Sequence, residues 1–214
     1  MPPAGRSSSR PGYSDRVFLN VPFDPRYQKL FDALVFTVHD CGFVARCARE
    51  SEDSSVVRVG KLYDIIERCR YGVHDLSRTG LDSANRLPRF NMPLELGIFL
   101  GAKHFGRGRQ RQKSCLILDR DRYRYQVFCS DIAGQDIRAH QNRVEDAITV
   151  VRNWLRSARG GGVLIPGGGR IAQRYVSFRI ELPAMCQRAG LDHRGLDFLD
   201  YRTMVTGWLR ANPW

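Results

Sequence analysis

The chain has 214 residues, of which 43% are hydrophobic and 26% charged, and 34 lysines and arginines against 22 acidic residues give a formal net charge of +12. This length supports one large domain or one domain with an appendage, and the composition is ordinary for a soluble globular protein. A basic balance favours polyanions, either nucleic acid or small phosphorylated ligands, although a solvated arginine-rich surface gives the same number.

The six cysteines form no C-x-x-C pair, and most lie within apolar runs. They are typical of buried thiols in a reducing compartment, and a zinc site would need closer clustering of cysteine and histidine, so we expect no metal. No apolar run approaches the roughly 20 residues of a membrane helix, and the N-terminal stretch lacks the apolar segment of a secretory signal. We therefore expect a cytoplasmic protein without a membrane partner.

Residues 1–14 are rich in proline, serine, glycine and arginine, which predicts a disordered tail. After this tail, apolar runs that predict strands alternate with stretches of helical periodicity. The predicted strands are residues 16–21, 43–47, 71–76 and 113–118, with a short fifth strand near Ile137. The predicted helices run from Asp24 to Gly42, from Val59 to Cys69, from Asn91 to Lys103 and from Arg143 to Ala158.

This alternation predicts an α/β domain over residues 15–159, with a flavodoxin-like parallel sheet of about five strands and helices on both faces. Residues 160–172 contain GGGVLIPGGG and predict a linker, since the G-K-[ST] ending of a phosphate loop is missing. Residues 173–214 predict an α-helical extension, and the sequence does not indicate what it packs against. Ligands of such sheets bind beyond the carboxyl ends of the strands.

Residues 74–103, HDLSRTGLDSANRLPRFNMPLELGIFLGAK, combine a strand end, a long polar loop and a helix. Asn91 suits the N-cap position and Pro93 the first turn, so we expect Glu95 in the first turn of a largely buried apolar helix. There it would lie beside any cavity that the loop encloses. An acid in a first turn also stabilises its own helix through the helix dipole, so Glu95 has a structural explanation as well.

Part of this stretch resembles a pattern in the superfamily of nucleoside 2-deoxyribosyltransferases, TIR NAD-cleaving domains and bacterial TIR-like proteins. The matching residues are D-L-S at 75–77, Asn91, E-L-G at 95–97, and the G-x-K close at 101–103. The segment FLNVPFD at residues 18–24 also resembles the first-strand loop of these families. The resemblance covers about residues 16–138.

The resemblance implies a nucleotide N-glycosidase, in particular a TIR-like NAD hydrolase with bacterial antiphage defence as its setting. Glu95 would be the carboxylate that stabilises or attacks C1′ of the ribose, and Asp75 would be the second catalytic carboxylate or hold ribose hydroxyls. NAD or another nucleotide would then be substrate or ligand, with no separate cofactor. Because TIR-type enzymes often need assembly, a homo-oligomer or a defence-system partner protein is also implied.

Six further residues make up the predicted substrate-binding set, and most have a structural explanation too. Asn91 would hold ribose hydroxyls, Phe23 would stack on a base, and two arginines would bind phosphates. The full set is Asn20, Phe23, Arg46, Ser77, Arg89 and Asn91. Each of these roles has a structural alternative: Asp75 could simply end its strand, and Phe23 could be a hydrophobic staple for the helix that follows. The two arginines could be ordinary surface residues.

Two other functions are open on the sequence. The same cleft would suit a non-catalytic nucleotide-binding sensor. Alternatively, the arginines of 107–113 and the RYRYQ stretch at 122–126, where tyrosines alternate with arginines, would suit a basic protein that binds nucleic acid by charge and base stacking.

Overall fold

A computed structural model of the protein describes residues 12–50, 53–80, 89–160 and 164–214. Its centre is a five-stranded sheet with the strand order β2-β1-β3-β4-β5, in which every neighbouring pair is parallel. The strands are β1 (Arg16–Asn20), β2 (Val44–Arg46), β3 (Tyr71–Asp75), β4 (Ser114–Asp119) and β5 (Arg138–Ala139). This order confirms the predicted flavodoxin-like α/β fold with its five strands.

Helices cover both faces of the sheet. The helices of the described residues are α1 (Gln28–Asp40), α2 (Arg58–Glu67), α3 (Asn91–Phe105), α4 (Val144–Arg159), α5 (Gly168–Arg188) and α6 (Phe198–Ala211). The chain steps outward from β1 to β2 and then back across to β3 and β4. Right-handed crossovers in opposite directions place helices on opposite faces, so α1 lies on one face and α2 and α3 lie on the other. The first core cluster joins α1 and α4, and two smaller clusters lie under α2 and α3.

The C-terminal helices form an outer layer on α1 and α4, and α1 is consequently buried on both sides. Phe36 of α1 is fully buried. Its ring lies 5.5, 5.4 and 5.8 Å from the rings of Tyr175, Phe178 and Trp208. Arg174 of α5 forms a buried ion pair with Asp40 at the end of α1, with Nη2 3.1 Å from Oδ1. The helical extension therefore shares the core of the α/β domain.

The stretch interpreted as a linker, residues 160–172, includes the first turn of α5, which begins at Gly168. A Cβ on Gly168 would lie 2.5 Å from Oγ1 of Thr149 on α4, so a glycine is required where the two helices approach closely. Ile165 is buried as well. The predicted tail, residues 1–14, lies outside the described residues as far as residue 11, and Tyr13–Asp15 forms a short 3-10 helix.

Helix α3 differs from the sequence expectation in two ways. Its N-cap is Phe90 and its first residue is Asn91, so the prediction of Asn91 as N-cap is wrong and Glu95 lies beyond the first turn. Pro93, which has no amide proton, is the third residue of the helix, where amides have no intrahelical partner. The helix is also less buried than predicted, since Leu94 is 59% exposed.

Candidate functional site

The two predicted catalytic carboxylates lie on opposite faces of the sheet. Side chains alternate along β3, so Asp75 faces α1 and β5, whereas His74 faces α3, with its ring 4.9 Å from that of Phe99. Glu95 lies on α3. The structure therefore does not bring Asp75 and Glu95 together.

Asp75 is fully buried, and protein groups occupy both of its carboxylate oxygens. Its Oδ2 accepts hydrogen bonds from the Tyr27 hydroxyl and from Nε2 of His140 at 3.0 Å, and its Oδ1 accepts one from the Ser77 amide at 2.8 Å. Burial alone would raise the pKa of Asp75, but these donors and the charge of His140 outweigh it, and the pKa is lowered. This arrangement gives Asp75 a structural role as an anchor between β3, the start of α1 and the end of β5.

A second carboxylate, Asp119 at the end of β4, is also fully buried. Arg124 pairs with it, at 2.8 Å from Nε and 2.7 Å from Nη2 to Oδ1. Arg124 also donates to the Leu76 carbonyl and to Oγ1 of Thr79. Within the RYRYQ stretch, Arg124 and Tyr125 thus lie over the carboxyl ends of β3 and β4, and buried Tyr125 cannot stack on a base, whereas Tyr123 is 67% exposed.

Asn20 and His74 connect β1 and β3 to the start of α3. Nδ2 of Asn20 lies 3.0 Å from Nδ1 of His74 and donates to the Met92 carbonyl at 2.8 Å. Burial, together with the charge of Lys113, lowers the pKa of His74 to about 3, so this histidine is neutral in the core. The amide of Asn20, predicted to bind substrate, holds α3 in place.

Glu95 lines a cavity of about 210 Å³ between the N-terminal halves of α2 and α3. These helices follow β2 and β3, so their first turns adjoin the carboxyl ends of the strands. The lining residues are Ala48, Arg58, Val59, Leu62, Asn91, Leu94 and Glu95. Glu95 is half-buried, and burial raises its pKa to about 7 against the opposing charge of Arg58. Of the predicted site residues, Glu95 and Asn91 are the two that the structure brings together here.

Each residue of the short 3-10 helix Ala48–Glu50 lines a different cavity, and Ala48 lines the one that contains Glu95. Arg49 lines a cavity of about 500 Å³ together with Phe23, whose ring packs edge-on against Phe31 at 5.5 Å and lies 4.4 Å from the Arg49 guanidinium. Glu50 lines one of about 290 Å³ together with Arg46. Phe23 and Arg46 therefore lie away from Glu95, in separate cavities.

The remaining predicted residues are held by other protein groups. Arg46 is paired with Glu50, with Nε 2.6 Å from Oε1. Arg89 pairs with Asp24 at 3.4 Å. Ser77 is buried, and its amide donates to Asp75. Most of the loop between Ser77 and Asn91 lies outside the described residues.

Arg58 lines the cavity beside Glu95 but is missing from the set predicted from sequence. Its signal in the sequence is weak, because it is one of many arginines and follows a serine-rich loop. The helical spacing of Arg58 and Leu62 would have indicated that they share a side of α2, but not which helix that side meets.

Within the described ranges, no group of three or more histidine, cysteine, aspartate or glutamate side chains could hold a metal ion. In the same ranges, none of the helices has the length and apolarity needed to span a membrane. Comparison with known proteins gives no match to this chain among family models, curated proteins or solved structures.

Proposed function

We propose that this protein cleaves the N-glycosidic bond of a nucleotide, NAD in particular, in the cavity between α2 and α3. The observation that carries the proposal is Glu95, a half-buried carboxylate in the wall of a largely apolar cavity beside the carboxyl ends of the strands. Parallel α/β sheets bind ligands at that edge, and charges in such surroundings are weakly screened. The resemblance to the deoxyribosyltransferase and TIR pattern supports the same carboxylate.

Breaking the bond from C1′ to the base nitrogen leaves oxocarbenium character on the sugar, and the bonding electrons depart with the base. Ionised Glu95 stabilises this positive charge, or bonds to C1′ until water displaces it. The oxygen of water then joins C1′, and a proton passes to solvent. Asn91 lies on the same side of α3 as Glu95 and can hydrogen-bond a ribose hydroxyl.

The residues around Glu95 favour a particular leaving group. Glu95 is the only carboxylate among the described residues that line the cavity. A neutral purine leaves readily only when an acid protonates it, and a second acid for that purpose is missing from this lining. The nicotinamide of NAD is attached through a cationic ring nitrogen and leaves as a neutral molecule, so the lining favours NAD over purine nucleosides.

The test is incubation with NAD, with chromatographic measurement of nicotinamide and ADP-ribose. We expect wild type to release nicotinamide, Glu95→Gln to lose at least a hundredfold in rate, and Glu181→Gln, at an exposed position of α5, to match wild type. Since Glu95 acts when ionised and its pKa is raised to about 7, kcat/KM should rise with pH through that value.

Because the proposal includes a homo-oligomer or a defence-system partner, the assay is repeated at high protein concentration. An inert wild type under both conditions, or an unchanged rate in Glu95→Gln, would refute cleavage.

All six cysteines are free and either buried or half-buried, which supports the proposed cytoplasmic setting.

A second candidate is a sensor that binds a nucleotide without cleaving it. The observation in its favour is again the single carboxylate, since most glycosidases use two. Saturable binding of NAD in calorimetry, with no product after prolonged incubation, would identify the sensor. Nucleic-acid binding is less well supported, because Arg124 and Tyr125 face inward and Tyr123 is the one exposed tyrosine of the RYRYQ stretch. The arginines of Gly108–Gln112 precede β4, at the opposite edge of the sheet.

A further inference from the structure

Arg58 is the basic side chain that lines the Glu95 cavity. It makes no hydrogen bond or ion pair with any residue in the described part of the chain, whereas Arg46 is paired with Glu50 and Arg89 with Asp24. Its positive charge partly offsets the effect of burial on the pKa of Glu95. An arginine with five donors to offer therefore lies beside the carboxylate of the proposed reaction.

The residues that line the cavity differ in their exposure to solvent. Arg58 and Asn91 are exposed, Glu95 is half-buried, and Leu62 is buried. Arg58 and Leu62 are four residues apart on α2, as are Asn91 and Glu95 on α3, and one helical turn rises about 5.4 Å. Of the two charged groups in the lining, the Arg58 cation is therefore the more exposed and the Glu95 carboxylate the more buried.

We infer that Arg58 binds the 5′-phosphate of the substrate, so that the cavity selects phosphorylated nucleotides over nucleosides. The inference rests on the proposed function, in which Glu95 meets the sugar. Arginine suits this role because its planar fork donates two parallel hydrogen bonds to phosphate oxygens. This inference replaces the sequence-based prediction that Arg46 and Arg89 bind phosphate, because both of those guanidiniums already form ion pairs with carboxylates.

The experiment measures binding without turnover, by calorimetry with AMP against adenosine and with UMP against uridine. For wild type we expect each nucleotide to bind at least tenfold more tightly than its nucleoside, as for a charge-assisted hydrogen-bonded pair. Arg58→Gln should remove most of that ratio, and Arg58→Lys should keep part of it, because lysine retains the charge but not the fork. Arg107→Gln, at an exposed position far from the cavity, makes the same change in net charge and should keep the full ratio.

Three results would each overturn the inference: equal binding of nucleotide and nucleoside by wild type, no binding of either nucleotide, or an unchanged ratio in Arg58→Gln. Thermal melting of each variant verifies that it is folded. Failure of the proposed function gives a different pattern, in which NAD stays intact while the binding ratio still depends on Arg58. Conversely, cleavage of NAD together with a ratio independent of Arg58 removes the phosphate site alone.

Discussion

Replacing Glu95 by glutamine is expected to stabilise the protein at pH 8. On folding, the pKa of this carboxyl rises from 4.5 to about 7 because the side chain is partly withdrawn from water. Such a rise makes ionisation in the folded state less favourable by about 3 kcal/mol. Since the side chain is partly exposed, solvent screening reduces the expected effect to about 1–2 kcal/mol.

The sign follows from the protons that each state binds. Between pH 4.5 and about 7, folded Glu95 holds a proton that the unfolded chain has released. Wild type therefore loses stability as pH rises through this window, and Glu95→Gln does not. The variant should be close to wild type at pH 4.5 and more stable than wild type above pH 7.

Urea denaturation at pH 5 and pH 8 measures this difference, with Glu181→Gln as the matched control for the loss of an exposed glutamate charge. We expect the advantage of Glu95→Gln to be larger at pH 8 and that of Glu181→Gln to be negligible at both. If Glu95→Gln were no more stable than wild type at pH 8, or equally favoured at both pH values, Glu95 would be an ordinary solvated acid. The weakly screened setting that the proposed chemistry needs would then be absent.

Two further predictions concern the framework that holds the cavity. Phe36→Ala should lower the free energy of unfolding by about 3–5 kcal/mol and leave one cooperative urea transition, because this buried ring joins α1 to the C-terminal helices. The control Ile180→Ala, at a side chain that is 74% exposed, should change the free energy of unfolding by less than about 0.5 kcal/mol. Two separate transitions in wild type would contradict that shared core. Asp75→Asn should cost about 3 kcal/mol at pH 7, since it breaks the buried links to Tyr27 and His140. Because the pKa of Asp75 is lowered, its contribution is present above the unfolded pKa and disappears as pH falls through the folded value, so the gap between Asp75→Asn and wild type should narrow in acid.

Local patterns in the sequence were sufficient to predict the strands and helices of the α/β domain. Strand β1 was predicted at residues 16–21 and is Arg16–Asn20, and the last helix of the α/β domain was predicted from Arg143 to Ala158 and is Val144–Arg159. Such segments are predictable because a side-chain period of two or of 3.6 depends on near neighbours in the chain. The position of Glu95 at the carboxyl edge follows from the same reasoning, because α3 comes directly after β3.

Which side chains meet was decided by the tertiary structure. Strand order and crossover direction placed Asp75 and Glu95 on opposite faces, although their spacing in sequence resembles one motif. Arg46 and Arg58 are both arginines, yet Arg46 forms an ion pair with Glu50, whereas Arg58 lines the cavity beside Glu95. The sequence by itself determined the strands, the helices and the parallel sheet. Partners, burial and the shifted pKa of Glu95 depend on contacts between residues distant in sequence, and only the folded chain brings those residues together.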